Sequence, residues 1–232
     1  GHLAKRYGAQ VYVHELGAPH LAEPGRLIAS ASRIYGEQLE EFWGVMQAVP
    51  AEKLLAVKHE DRLTVCQRDI RVLYTPGHAS SHVSYLLDGE TLFTGDAAAI
   101  KLSGSSIIRP ALAPPEIDLE IWERSLKLMR KAAAERLLLT HFGEVRNVDE
   151  HLTQVAKHNR LWAEEILAGM NAGEDDGTLE KRIRDLGTNE LWQEGAKAEL
   201  ISKYRITSND EMTVTGVKRY WKKHHPERLV TR

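Results

Sequence analysis

Apolar and polar positions along this chain change period twice. His2 to Tyr7 reads as the tail of a helix stopped by Gly8, and Gln10–His14 as a short strand rich in β-branched and aromatic residues. After a break at Pro24-Gly25, residues Leu27, Ile34, Leu39, Phe42 and Met46 recur at roughly helical spacing and predict a helical stretch from Arg26 to Ala48. From Arg62 to Asp96 the period shortens to that of strands. Leu63–Cys66 and Ile70–Tyr74 predict a hairpin around the polar Gln67–Asp69, and Val83–Leu87 with Thr91–Phe93 a second one turning at Asp88-Gly89.

A polar, Gly- and Ser-containing loop then runs from Lys101 to Pro114-Pro115. Leu119, Trp122, Leu126 and Met129 mark one face of a helix over about Glu116–Glu135, and Leu137–Leu139 reads as a short buried strand. Beyond Gly143 no strand is expected. Asn147–Glu150 is a capping box for a helix carrying Leu152, Val155, Trp162 and Ile166. Gly173–Gly177 is an acidic break, and two further helices are expected, near Asn189–Lys203 and from Ser208–Glu211. This order describes an α/β domain over residues 1–146 followed by a helical region over 147–232. Trp43, Trp122 and Trp162 fall on apolar helical faces and are expected in the core.

Composition narrows the class. A chain of 232 residues can bury one sizeable core. A net charge of −2 gives no global attraction to nucleic acid or to anionic membranes. No apolar run approaches the ~20 residues of a membrane span, and GHLAKRYGAQ lacks the apolar stretch of a signal peptide, so a cytoplasmic location is the expectation. Cys66 is the only cysteine, which excludes an internal disulfide and thiolate-rich metal sites.

The candidate chemistry lies where strands end. In Thr75-Pro-Gly-His-Ala-Ser-Ser-His82 a strand runs into a Pro-Gly turn that presents His78. In Leu92-Phe-Thr-Gly-Asp96 an apolar strand runs into Gly and then an acid, and Leu137-Leu-Leu-Thr-His141 ends in a second histidine. Singly, each has an ordinary reading: a turn histidine, turn chemistry at Gly-Asp, a strand-end histidine bonded to a carbonyl. Together they form the nitrogen and oxygen set that borderline metals such as zinc favour.

TPGHASSH, LFTGDA and LLLTHFG, in this order, resemble the third, fourth and fifth motifs of the metallo-β-lactamase superfamily. Val11 to about Gly143, including VYVHE and RLIASASRIYG, resembles the bacterial hydrolases of that superfamily throughout. The resemblance implies an αββα sandwich, two sheets between helices, with the site at one edge. It also implies a binuclear centre in which His78 binds the first metal, Asp96 bridges both and His141 binds the second. Two zinc ions are expected in a complete site, with iron and manganese as alternatives. The implied reaction is attack of a metal-bound hydroxide on the ester, thioester, lactone or amide carbonyl of a small-molecule substrate, with Asp96 orienting the nucleophile. His82 is expected to stand behind the ligands or to line the pocket, or simply to be a half-exposed histidine starting a strand. Ser30, Arg33 and Tyr35, in the helical insert, are candidate substrate-binding residues or a plain polar helix face. His14 is expected to be packed or turn-associated.

One departure shapes the expectation for activity. The family's His-x-His-x-Asp-His motif does not occur in these 232 residues; the nearest pairs are His14 with His20 and His224 with His225. The domain is therefore expected to be N-terminally incomplete, offering two protein ligands to each metal where catalytic zinc takes about three, and to be weak or inactive alone. Uncovered strands would favour a homo-oligomer. Two other classes stay open. One is a nucleic-acid-processing member, for which Lys218, Arg219, Lys222, Lys223 and Arg228, interleaved with Tyr220 and Trp221, could contact phosphates; a solvated basic helix is the ordinary alternative. The other is a degenerate, non-enzymatic binding module.

Overall fold

A computed structural model describes residues 1–113, 116–141 and 143–230, with only the backbone at 33–35, 38 and 42. The chain forms two compact units, Gly1–Asp61 and Arg62–Arg232.

The first unit contains α1 (His2–Tyr7), β1 (Val11–His14), α2 (Ala18–Ala22), α3 (Gly25–Tyr35), α4 (Leu39–Trp43) and β2 (Leu54–Val57). β1 and β2 pair in parallel, Val11 opposite Leu54 through His14 opposite Val57. The Leu54–Val57 strand has no alternation to announce it, and the hydrophobic pattern does not predict it. The expected helix over Arg26–Ala48 is two helices, broken at Gly36 and stopped at Gly44. With only five residues in α4, no continuous apolar stripe forms. Trp43 is accordingly 49% exposed, which corrects its expected place in the core.

The second unit runs β3 (Arg62–Val65), β4 (Arg68–Tyr74), β5 (Val83–Leu87), β6 (Thr91–Phe93), α5 (Leu119–Lys131), β7 (Arg136–Leu138), β8 (Glu144–Val145), α6 (Val148–Ala172), α7 (Asp176–Gln193), α8 (Ala198–Thr207) and α9 (Asp210–His224). Its six-stranded sheet has the order β3-β4-β5-β6-β7-β8. The first hairpin turns at Cys66-Gln67, both at positive φ, slightly earlier than expected. β4 is antiparallel to β5, β5 to β6, and β6 parallel to β7. Strands β4, β6 and β7 therefore point the same way, and their C-terminal ends share one edge of the sheet. The short β8 pairs with β7 and corrects the expectation that strands stop at Gly143; two residues are too few to show a period.

Leu73, Leu86, Leu92 and Leu137 of the sheet share a single core with Trp122 and Met129 of α5, Leu152 and Trp162 of α6, and Trp221 of α9. Each such side chain contributes about 1.5–3 kcal/mol when fully buried. The acidic segment before α7 is a helix cap: Asp175 Oδ1 accepts the Thr178 N–H at 2.8 Å. Three helices thus follow α6 instead of two, because the charge that reads as a linker satisfies a helix N-terminus.

Candidate metal centre

The loop from Thr75 to His82 is closed by the Thr75 N–H donating to the His82 carbonyl at 3.0 Å. Inside it, α5 presses on the Pro-Gly turn. Ser125 Oγ–H donates to the Pro76 carbonyl at 2.6 Å and the Asp118 N–H to the Gly77 carbonyl at 2.9 Å. Gly77 has φ +132°, and a Cβ there would lie 2.4 Å from the Trp122 Cα, so no other residue fits. The turn delivers His78 to the sheet edge. Its Nδ1 lies 2.8 Å from the Ala111 carbonyl. A carbonyl can only accept, so Nδ1 carries a proton, and in the neutral ring Nε2 presents a lone pair.

Asp96 follows β6 directly. The Thr94 N–H donates to the Leu138 carbonyl at 3.1 Å, which keeps β6 and β7 paired up to the edge. Two helices then fix the turn. Trp122 Nε1–H donates to the Ala97 carbonyl and His151 Nε2–H to the Ala98 carbonyl, each at 2.8 Å. Gly95 has φ +54° and leaves room for His82, whose Nε2 would be 2.3 Å from a Cβ there. His141 stands beyond β7, where the Leu139 N–H donates to the Gly143 carbonyl at 3.1 Å. Its neighbour Phe142, in the LLLTHFG motif, lies outside the described residues, as do Pro114 and Pro115.

The three strand ends converge. His78 Nε2 is 3.5 Å from Asp96 Oδ2, and His141 Nε2 is 3.0 Å from Asp96 Oδ1. Each histidine faces a different oxygen of one carboxylate. Asp96 Oδ1 is buried and has no hydrogen-bond partner among the described residues, although His141 Nε2 is so near; the ring nitrogen is close without the alignment of a hydrogen bond. On the other side, Nε2 of a neutral His78 would turn a lone pair toward a carboxylate oxygen. Two acceptors at this distance repel unless a cation or proton lies between them. Ligands of a tetrahedral zinc ion with bonds of about 2.0–2.1 Å stand about 3.3 Å apart, so both spacings suit a shared cation. Among the described residues, no group of three or more His, Cys, Asp or Glu side chains is arranged to hold one ion. The donors form two pairs through Asp96.

Electrostatics agree with an anionic Asp96. Burial raises its carboxyl, but the close approach of His141 first, and then the charge that His78 and His141 carry when protonated, outweigh it and hold it below the usual carboxylate range. Burial, aided by His78 and opposed by Asp96, lowers His82 to about 4, so its imidazole is neutral. His82 Nδ1 lies 2.9 Å from Thr75 Oγ1, which in turn lies 2.9 Å from Ser84 Oγ. His82 thus stands behind the cluster, its ring centroid 6.3 Å from that of His78.

Ser30 is exposed on α3 of the first unit, and the side chains of Arg33 and Tyr35 lie outside the described residues. His14 is buried, with Nδ1 accepting the Leu16 N–H at 3.2 Å, so it is both packed and turn-associated. In α9, Tyr220 and Trp221 are 1% exposed and belong to the core, so neither is free to stack on a base. Lys218 is paired with Asp176, and Arg228 with Glu164 at 2.8 and 2.9 Å. Sequence reasoning misses the supports of the site. Trp122 reads as core alone, His151 carries no motif, and the Ala111 carbonyl has no side-chain signature.

The fold and this edge define a family. Residues 1–141 match the family model of the metallo-beta-lactamase superfamily, and the chain belongs to that superfamily. Its members are generally hydrolases, and metal binding is general among them. The chain is 29% identical over 151 residues to the metallo-beta-lactamase fold-containing protein ST1585 of Sulfurisphaera tokodaii, covering 64% of this chain and 56% of that protein. The crystal structure of ST1585 matches with a TM-score of 0.57 at 30% identity, over 66% of this chain and 60% of that one. The family protein TTHA1429 from Thermus thermophilus matches in fold with a TM-score of 0.63 at 20% identity, over 93% of this chain and 67% of that one. A hydroxyacylglutathione hydrolase from Actinobacillus pleuropneumoniae is 51% identical over 41 residues, 18% of this chain and 17% of that enzyme. The chain thus spans little more than half the length of ST1585. Among the described residues no helix is long and apolar enough to cross a membrane.

Proposed function

We propose that the edge formed by His78, Asp96 and His141 is the metal centre of a hydrolase acting on an ester, thioester, lactone or amide carbonyl. The observation that carries this reading is the division of one carboxylate between two imidazoles, Oδ2 toward His78 and Oδ1 toward His141, with Oδ1 left without a hydrogen bond. Asp96 and His78 would hold one ion, and Asp96 and His141 the other; zinc fits the donor set, and iron or manganese would be accepted by the same atoms. When bound, the metal supplies Lewis acidity and lowers the pKa of a water toward ~7.

The protein's own share is preorganisation. The Ala111 carbonyl holds the His78 proton on Nδ1 and keeps Nε2 free for a ligand bond. The surrounding imidazoles keep Asp96 ionised. Trp122 and His151 lock the turn beside it, so Asp96 cannot swing away when a substrate carbonyl approaches. His82, packed behind the ligands against Thr75 Oγ1, is proposed to position them. A thioester is the first substrate class to try, since acyl-glutathiones are thioesters and the matched Actinobacillus enzyme is named for one.

With two protein ligands per metal, this chain holds metal weakly and turns over slowly. Zinc titration by calorimetry, paired with hydrolysis assays on acyl-glutathione, lactone and aryl ester substrates, checks both statements. The expected result is weak zinc binding that Asp96→Asn removes, with slow zinc-dependent turnover. Equal zinc binding by the variant would overturn the ligand assignment, and fast turnover by the 232-residue chain would overturn the low-activity reading.

A further inference from the structure

Away from the Asp96 edge, a small pocket of about 20 Å³ lies among α6, α7 and α8, with Arg109 at its wall. Arg109 is 4% exposed. One of its guanidinium N–H groups donates to the Gly187 carbonyl at 2.7 Å, while the nearest carboxylate, Glu190, is 3.8 Å away. The guanidinium lies 4.8 Å over the Trp162 ring and 5.4 Å over that of Tyr204. The seat is built for it: a Cβ on Gly187 would fall 1.5 Å from Arg109 Nη1.

Two residues of the same lining each carry a buried polar atom with no partner among the described residues, Trp162 Nε1 and Ser208 Oγ. These residues are 1% and 8% exposed. An indole N–H can only donate, so what it lacks is an acceptor. Charge points the same way. Arg109, Arg184 and Arg205 line the pocket against one carboxylate, Asp210, which already pairs with Arg184 at 2.9 Å. Arg184 and Arg205 are exposed, so the buried charge to be met is that of Arg109, with Glu190 at 3.8 Å. Size then limits the occupant, because a single water needs about 10–15 Å³ of such space.

We propose that this pocket binds one small monovalent anion of halide size, held by Arg109, the Trp162 indole N–H and the Ser208 hydroxyl. A water there would satisfy the two donors but bring no negative charge to the buried Arg109, whose carboxylate neighbour Glu190 stays 3.8 Å away. The bound anion ties α6, α7 and α8 to the segment just ahead of Ala111. This site is independent of the metal centre and of any hydrolase activity.

Thermal unfolding in low-salt buffer tests it, titrating sodium chloride or bromide against sodium gluconate, whose anion is too large for the pocket. The expected result is a midpoint rise of about 3 °C at ten times the dissociation constant with halide alone. Trp162→Phe and Ser208→Ala keep the packing and should each shrink that rise, and Arg205→Gln at the mouth should weaken it. Crystals soaked in bromide should show an anomalous peak beside Arg109. Equal rises in halide and gluconate, an undiminished halide effect in Trp162→Phe, or no bromine signal in the pocket would each overturn the proposal.

Discussion

His78 and Ala111 are 33 positions apart in the chain, yet the imidazole Nδ1 and the backbone carbonyl are 2.8 Å apart. This contact sets the tautomer of the leading candidate ligand. In the zinc-loaded protein, His78 should keep its proton on Nδ1, bonded to the Ala111 carbonyl, with Nε2 as the ligand atom. Nitrogen-15 NMR of the histidine side chains reads this directly. Zinc should move the Nε2 resonance of His78 and leave Nδ1 protonated, and an Nε2-protonated tautomer would contradict the account.

Gly77 and Trp122 are a packed pair. Gly77→Ala would place a methyl group against the α5 backbone and force φ +132° on a residue that avoids it. We expect a loss of about 2–4 kcal/mol in urea unfolding, together with weaker zinc binding, because the turn carrying His78 must shift. An alanine variant as stable as wild type would show that the turn can relax freely.

Trp122 has a role beyond filling space. Trp122→Phe keeps most of the ring but leaves the Ala97 carbonyl without its donor, at a cost of about 1–3 kcal/mol. The same variant should lower zinc affinity roughly tenfold by loosening the Asp96 turn. His151→Gln, which retains a donor for Ala98, should be milder than His151→Ala. Calorimetric zinc titration of the three variants gives that ranking, and the reverse order would remove the positioning role.

His82 makes the metal-free protein acid-sensitive. Its pKa is lowered from 6.5 to about 4 on folding. Between those values the unfolded chain takes up a proton that the folded chain refuses, so this contribution is complete above pH 6.5 and lost as pH falls toward 4. The loss amounts to at most about 3 kcal/mol. Urea midpoints at about pH 7.5 and pH 4.5, either side of most of this titration, should converge for His82→Gln relative to wild type. An equal drop in both proteins would assign the effect to other groups.

Much of this architecture is legible from the residues. Both hairpins, the α5 face and the strand-end positions of His78, Asp96 and His141 follow from period and punctuation, because a half-buried sheet and an amphipathic helix impose their repeat on the chain. The convergence of His78, Asp96 and His141 needs the sheet order as well: β4, β6 and β7 must be co-directional, and single segments do not show that. Leu54–Val57 and Glu144–Val145 are too short for a pattern. Asp175 looks like linker charge because a cap and an acidic loop share the same residue types. The supports of the site stay hidden for a simpler reason: Ala111, Ala97 and Ala98 act through backbone carbonyls.

The division of Asp96 between two metal positions is tested most directly by anomalous diffraction at the zinc edge from zinc-loaded crystals. The account predicts density on both sides of this carboxylate, one peak beside His78 Nε2 and one beside His141 Nε2. Zinc bound elsewhere, with all three side chains left uncoordinated, would contradict it.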